Sequence, residues 1–497
     1  MLRIRRFAPF AALAIWIPSF ASGQETGDTL AQIQNRPLAE LVAALPGRPA
    51  ELGALVVTAL ERNLDLEGEI FVRRIAEASV DIQGGLFDPS FRLGSSLATG
   101  GTPGAPSARS LSAGLGTVLP WGTELGVDLT SGRNLGFLGD PALAYGSDLA
   151  VTLSQPILDG FNVTDARYRT AERQRDAAQH TFERATELVI AQIEILYWSL
   201  AETEALEAVR QRSYELAGAL LFRNQQLADR QLIAAVDVLT AQSGVALRRA
   251  SLIDARLRRL DSADRLVFAV YGAGAAQRLR ADTLPMKTAT EPLADPIDVD
   301  RPDAETDALA LRRDVAAARE SLAAAREALR EGTSGLRPSL FLDGSWAAAG
   351  RGPGAADLFS GLGNDAAWSL GLRFAVPLGN RSDRGLERVA TWTLGLRQID
   401  LAVAENLVRQ DVRAATRAVR SGMERLAASD EAAQLAAAQL VAERQRLDLG
   451  LGDSFRLLET EENAVQAELE SVRARYDLAR AATRLRLARG EIRVRYP

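Results

Sequence analysis

The 497-residue sequence has no cysteine and one histidine, and these two shortages remove much of the usual chemistry of proteins. Without cysteine there is no thiolate nucleophile, no thiolate metal site, no disulfide and no thiol to carry a lipid at a processed N-terminus. The lone histidine, His180, sits in the charged stretch Gln179-His180-Thr181-Phe182-Glu183 with no second ligand or nucleophile beside it, and reads as an exposed helix residue. No Ser/His/Asp set, HExxH pair or phosphate-binding P-loop is present, and the glycines of Gly350-Arg351-Gly352-Pro353-Gly354 lead into no helix. An enzyme is disfavoured, and neither cofactor nor metal is expected. The formal net charge of -6 disfavours nucleic acid as a partner, because phosphate binding needs a basic surface. Beyond Phe20 no apolar run approaches the roughly 20 residues that a membrane-spanning helix requires.

With 47% hydrophobic and 25% charged residues, the chain can nevertheless bury a core. Arg3, Arg5 and Arg6 precede an apolar run from Phe7 to Phe20, followed by the small residues Ala21-Ser22-Gly23. Residues 1–23 read as a secretory signal; a membrane anchor in the same place is disfavoured by its length and by Pro9 and Pro18. Residues 24–48 form an N-terminal extension. An exported chain of this composition either dissolves in the exported compartment or enters a membrane as strands.

A pattern is written twice. Ala59-Leu60-Glu61-Arg62-Asn63-Leu64-Asp65-Leu66 resembles Ala308-Leu309-Ala310-Leu311-Arg312-Arg313-Asp314-Val315, and Pro89 meets Pro338, both 249 positions on. Pro156, after Leu149 to Gln155, meets Pro377, after Leu370 to Val376, at an offset of 221. Leu232 to Leu239 meets Leu451 to Leu458 at 219. The fall from 249 to 221 places 28 extra residues between the two prolines of the first copy. The expected division is therefore a first repeat over 49–303 and a second over 304–497.

Between the prolines the hydrophobic period is two. Leu149, Val151 and Leu153 alternate with Ala150, Thr152 and Ser154, and Trp368, Leu370, Leu372 and Phe374 alternate with Ser369, Gly371 and Arg373. Strands are predicted over about 89–157 and 338–378, in runs near the 9–11 residues of a tilted membrane strand. A sandwich with one solvated face gives the same alternation. The Gly- and Pro-rich links Thr99–Arg109 and Gly350–Gly363 suit outside loops. The extra residues predict a hairpin over 111–131, turned by Pro120-Trp121-Gly122, so that the first repeat supplies four strands and the second two.

After Pro156 and Pro377 the pattern becomes helical, over about 160–271 and 382–490. Thr164–Gln226 and Gly385–Leu449 predict two rods of roughly 95 Å, lengths that call for coiled-coil packing. Leu188, Ile195 and Leu206 mark one expected seam, and Leu426, Leu435, Leu440 and Leu447 another. Each rod turns and returns as two stacked helices. The first rod returns as about Ala234–Tyr271 and then Ala304–Arg330, which opens the second repeat, the two separated by an equatorial segment, 272–303. The second rod returns as Ser454–Arg489, and its matching upper helix is the N-terminal one, Pro49–Ile82, of the first repeat.

Taken in order, Asn63-Leu64-Asp65-Leu66, Phe87-Asp88-Pro89, Gln155-Pro156-Ile157-Leu158, Tyr197-Trp198, Val376-Pro377-Leu378 and Gly450-Leu451-Gly452-Asp453-Ser454 resemble the TolC family of outer-membrane efflux proteins. The resemblance implies an α+β membrane protein: a transmembrane β-barrel shared by a homotrimer, continued by a long antiparallel α-helical coiled-coil barrel. It implies an exit duct in the outer membrane of a Gram-negative bacterium, taking substrates from an inner-membrane pump through a periplasmic adaptor. On physical grounds too, four to six strands cannot close a barrel, and an open edge is not tolerated in lipid. The alternative is a rigid periplasmic coiled-coil protein with a small β domain. Twelve or eighteen strands per trimer, and small-molecule or protein export, remain open at this point. By the resemblance, a periplasmic gate falls on Asp237, Asp453, Arg456 and Glu459, with Arg456 departing from an acidic pattern; Arg456 and Glu459 are expected to pair in a mixed ring. Adaptor docking falls on the tip turns, Gln231 and Leu232 in the first and Gly450, Leu451 and Gly452 in the second, the two glycines suiting positive φ.

Overall fold

A computed structural model of the chain describes residues 49–98, 108–133, 145–158, 164–231, 233–276, 287–288, 298–357, 359, 362–363, 365–449 and 451–496. The signal segment, the N-terminal extension, residues 277–286 and 289–297 of the equatorial segment, and Leu232 and Gly450 lie outside the described residues.

The described elements run in chain order as β1 (Pro49–Ala50), α1 (Leu52–Arg62), α2 (Leu64–Gly84), β2 (Ser90–Ala98), β3 (Ala108–Val118), β4 (Glu124–Arg133), β5 (Tyr145–Pro156), α3 (Ala166–Asp229), α4 (Ala235–Ala276), β6 (Lys287–Thr288), α5 (Ala304–Leu311), α6 (Arg313–Ser334), β7 (Ser339–Gly352), β8 (Asp365–Ala375), α7 (Arg381–Asp448) and α8 (Ser454–Arg489). Helices α3 and α7, of 64 and 68 residues, are the two rods.

Two helices expected to be continuous are broken. The first ends at Asn63 (φ -73, ψ 124) and the other at Arg312 (φ -67, ψ 127), positions 249 apart in the sequence with nearly the same extended backbone. Each break is held by its own side chain. The Asn63 Oδ1 accepts from the N–H groups of Asp65 (2.9 Å) and Leu66 (3.1 Å) as an N-cap, while its amide donates to the Ala269 carbonyl (2.9 Å). The buried Arg312 guanidinium instead donates to Asp314 and, at 2.7 Å, to Asp411 of α7. Pro49 and Ala50 are not helical; they pair in parallel with Lys287 and Thr288 of β6.

Desolvation pushes the Asp314 carboxyl up, but the hydrogen bonds and charge of Arg312 outweigh it and hold the group below its ordinary value. The stability that Asp314 contributes is therefore complete above the ordinary aspartate value and is lost as pH falls through its lower folded value. Hydrogen-exchange protection at residues 312–316, corrected for the intrinsic rate, should fall in that acid window, and in Asp314→Asn it should already be low at neutral pH.

The rods lie in a four-helix layer. At the end next to the sheet the order across it is α2, α3, α6, α7; at the far end it is α4, α3, α8, α7. The main core sits at the equator, where Val56 of α1, Ile190, Ile193, Tyr197 and Leu200 of α3, and Leu266 and Val270 of α4 are buried. The Tyr197 hydroxyl donates to the Ala50 carbonyl (2.9 Å) and the Glu204 carboxylate accepts from the Thr288 N–H (3.1 Å), so α3 clamps both strands of the small sheet. Among the seam residues expected from the sequence, Leu188 and Leu435 are exposed. The buried stripe of α3 runs along Ile190, Ile193 and Tyr197 because its neighbours cover that side, and α7 has neighbours on one side only.

The other sheet is antiparallel, six-stranded and open, in the order β2-β3-β4-β5-β7-β8. Strand β7 runs on to Gly352, into the Gly-rich stretch read as loop, because Gly350, Arg351 and Gly352 pair with Ser147, Gly146 and Tyr145.

Candidate functional site

The register aligns every alternating run of the sheet. Phe91, Leu115, Val127, Val151, Trp346 and Trp368 form one row across all six strands. With Leu93, Leu125, Leu153, Leu370, Leu372 and Phe374 above and below it, the row makes an exposed apolar face. A continuous apolar surface of this extent marks a contact with lipid or protein. The opposite face carries Ser, Thr, Gly, Ala and three cross-strand ion pairs: Arg92–Asp128 (3.9 Å), Arg351–Asp148 (2.8 Å) and Arg373–Asp343 (2.9 Å). Asp343 also accepts from the Ser154 hydroxyl (2.7 Å).

The edges of the sheet and of the helical layer coincide. Edge strand β2 continues from α2, and edge strand β8 continues into α7. Flanking helix α7 exposes Leu386, Val389, Trp392, Leu396, Ile399 and Val403, three or four residues apart, a coiled-coil seam without a partner among the described residues. The other flank exposes Ile75 and Ile82 on α2 and Ile253, Leu257 and Leu260 on α4.

At the end far from the sheet, the two rods turn differently. The first turn places Gln231, a non-glycine residue, at φ 60. Asp237 lies half-buried in the first turn of α4, and its carbonyl accepts from the Asn224 amide (3.3 Å). In the second turn the Leu451 N–H closes back on the Arg446 carbonyl (2.8 Å). Asp453 caps α8, its carboxylate accepting from the Arg456 N–H (2.8 Å). Gly452 does not have positive φ, contrary to expectation; its lack of a side chain matters because a Cβ would lie 3.2 Å from the Leu447 nitrogen and 3.4 Å from the Glu443 Oε1.

Within the chain Arg456 and Glu459 do not pair. The Arg456 Nε lies 3.7 Å from the Glu443 Oε1, on the last turns of α7, while Glu459 is exposed and has no ion pair among the described residues. Glu443 is only 7% exposed and also meets Arg446 at 3.7 Å. A fully buried pair, Arg248–Glu461 (3.6 Å), ties α4 to α8, with the Arg248 Nε donating to the Ser213 hydroxyl of α3 (3.1 Å). Sequence reasoning missed both carboxylates. Glu461 had a usable signal, since it lies four residues from Leu457 and from Val465 on the buried stripe of α8.

Residues 306–491 match the family described as outer membrane efflux protein. No curated protein matches the sequence. Among solved structures, the Campylobacter jejuni CmeC outer membrane channel is 16% identical, with a TM-score of 0.65 over 88% of this chain and 85% of that one. The outer membrane protein VceC from Vibrio cholerae is 15% identical, TM-score 0.64, over 88% and 96%. The MtrE outer membrane channel of Neisseria gonorrhoeae, in its open state, is 17% identical, TM-score 0.62, over 88% of each chain. At these identities the likeness is one of fold, and it covers the sheet and the helical layer together. Residues 306–491 accordingly resemble an outer membrane efflux protein domain, set in a chain whose described length has the fold of TolC-like outer-membrane channels.

Proposed function

We propose that three copies of the chain join flank to flank into one duct, with a β-barrel in the outer membrane of a Gram-negative bacterium and a helical barrel in the periplasm. The duct passes substrates delivered by an inner-membrane pump and a periplasmic adaptor to the outside. One observation carries this reading: the same two flanks are unfinished at every level, as unpaired backbone edges on β2 and β8 and as exposed apolar stripes on α2, α4 and α7. Unpaired strand edges in hydrocarbon cost several kcal/mol per group, so closure through further copies removes the largest penalty that the monomer carries. The 11 residues of β8 rise about 36 Å along the strand and, at a tilt of about 40°, about 28 Å across a membrane, near the ~25 Å apolar band of such barrels. The apolar face then meets lipid, and the face with the three ion pairs lines the pore.

Fractionation and native mass measurement test this. The protein is expected in the outer membrane, insoluble without detergent and trimeric in it. A monomer soluble without detergent overturns the duct in favour of a rigid periplasmic coiled-coil protein.

The tips carry the gate and the adaptor contact in this reading. Asp237, Asp453, Arg456 and Glu459 face the narrow end, and the adaptor docks on Gln231, Leu451 and Gly452 together with their sequence neighbours Leu232 and Gly450. Arg456 reaching back to Glu443 adds a latch within each protomer. Because Arg456 is largely exposed, the pair contributes at most about 1 kcal/mol per protomer, so Arg456→Ala should raise channel opening in planar bilayers by about fivefold at most if one protomer sets opening and by about 150-fold at most if all three open together. Unchanged conductance and opening remove Arg456 from the gate.

A further inference from the structure

The two repeats differ in one element that bears on what the duct can pass. In the second repeat β7 pairs directly with β8. In the first, the equivalent strands β2 and β5 are separated by the β3–β4 hairpin, which pairs along its full length with both. The hairpin keeps the facing of its neighbours. Leu111, Leu115, Leu125 and Val127 fall on the apolar face; Ser110, Ser112, Gly114, Gly116, Gly126 and Thr130 fall on the polar one. It is therefore a full part of the wall. On the pore side it adds circumference with little bulk, its two carboxylates being Asp128, 3.9 Å from Arg92, and the exposed Glu124 beside the turn.

The helical layer gains nothing to match: four helices lie abreast at each level. Three copies give twelve helices which, at about 10 Å spacing, form a ring about 38 Å across between axes. Twelve strands at about 4.8 Å spacing and 40° tilt would close a barrel only about 24 Å across the backbone, whereas eighteen give about 36 Å. Without the hairpin the membrane barrel would be the narrow end of an open duct. With it, the two bores agree. After about 5 Å of side chain on each side, roughly 26 Å remains, the size of a compact polypeptide of about 50 residues.

We propose that the β3–β4 hairpin widens the outer exit to the bore of the helical tunnel and so fits the duct for compact polypeptide cargo as well as small molecules. The inference rests on the three-copy duct proposed above. Its lining supports it, because the three pore-facing arginines are each paired with an aspartate and, apart from Asp128 and the exposed Glu124 beside its turn, the hairpin offers only small side chains to passing cargo.

The test compares the full chain with a variant lacking residues 108–133, in which β2 can meet β5 as β7 meets β8. Imaging of the detergent-solubilised full chain should show eighteen strands per trimer, and of the variant twelve. Because the chain has no cysteine, Ser369→Cys places a single thiol on the pore face of both. Maleimide-linked polymers with coils about 10 Å in radius, added from the outer side, should label the full chain at least about tenfold faster than the variant, since a ~26 Å bore admits them and a ~14 Å bore does not. A trimer with twelve strands, or the same polymer cut-off in both, overturns the widened exit while leaving the duct intact. A full chain that forms no trimer overturns the duct itself. Should the deletion fail to fold, the strand count of the full chain still decides.

Discussion

Leu370→Arg is expected to abolish the assembled trimer in the outer membrane, and Ser369→Arg, one residue away, to leave it nearly untouched. Leu370 lies at the middle of β8, is 65% exposed, and is flanked on its face by Trp368 and Leu372. In the proposed barrel that face meets hydrocarbon at mid-depth. An arginine there costs about 2–4 kcal/mol per copy, or about 6–12 kcal/mol for three, comparable to the whole stability of a typical domain. Ser369 points the other way, opposite Ser345, and loses one exposed hydroxyl contact of 2.8 Å on substitution. An arginine in a water-filled pore beside the Arg373–Asp343 pair carries no comparable desolvation cost. The readout is the fraction of chain recovered from outer membranes as a detergent-stable trimer. Equal loss from both variants would remove the assignment of the two faces, and equal tolerance would remove the lipid.

Period alone reveals the sheet because a strand has two faces and one shift of register exchanges them. The alternation of Trp368 to Phe374 therefore carries both the strand and its facing. The long helices were less legible. An apolar stripe says that a helix face is covered, not by what: Leu457 of α8 is buried inside the chain, whereas Leu435 of α7 is exposed on a flank. Nothing local distinguishes them, since the difference lies in which helices stand on each side. The breaks at Asn63 and Arg312 were hidden for another reason. The repeat runs straight through both, and neither has a proline or glycine; only the capping ability of Asn63 hinted at an end.

The tips show the limit most clearly. A turn motif placed Asp453 and Gly452 at the turn, and Asp453 caps α8. The motif could not supply Glu443, because the contact with Arg456 joins residues on two helices and depends on how closely Gly452 lets them approach. Among the described tip residues positive φ falls not on Gly452 of the second turn but on Gln231 of the first. Its strain is small, and it means that the two tips present different surfaces to any partner.

Glu194→Ala is expected to destabilise the helical layer by about 3–5 kcal/mol, because it breaks a buried charge network and leaves a cation without its counter-ion. Glu194 of α3 is 0% exposed. Its carboxylate accepts from the Thr483 hydroxyl (2.6 Å), from the Arg486 guanidinium (2.9 Å) and from the Tyr496 hydroxyl (2.7 Å). It therefore joins α3 to α8 and to the segment after it, at the level where Tyr197 and Glu204 hold the small sheet. Glu194→Gln keeps an oxygen for one of the two hydroxyls, which sit on different carboxylate oxygens, and loses the charge opposite Arg486, so a smaller loss of about 1–3 kcal/mol is expected. The measurement is the thermal transition of the trimer in detergent, followed by helical circular dichroism and by protease cutting in α8. Transitions ordered wild type, Glu194→Gln, Glu194→Ala confirm a charge network; coincident transitions for all three mean that Glu194 is bystander to the packing. Trimers of Glu194→Ala should still carry their barrel in the membrane, since the sheet closes through its own edges and faces. That separates this variant from Leu370→Arg, whose helices keep every buried contact while its barrel has no place in lipid.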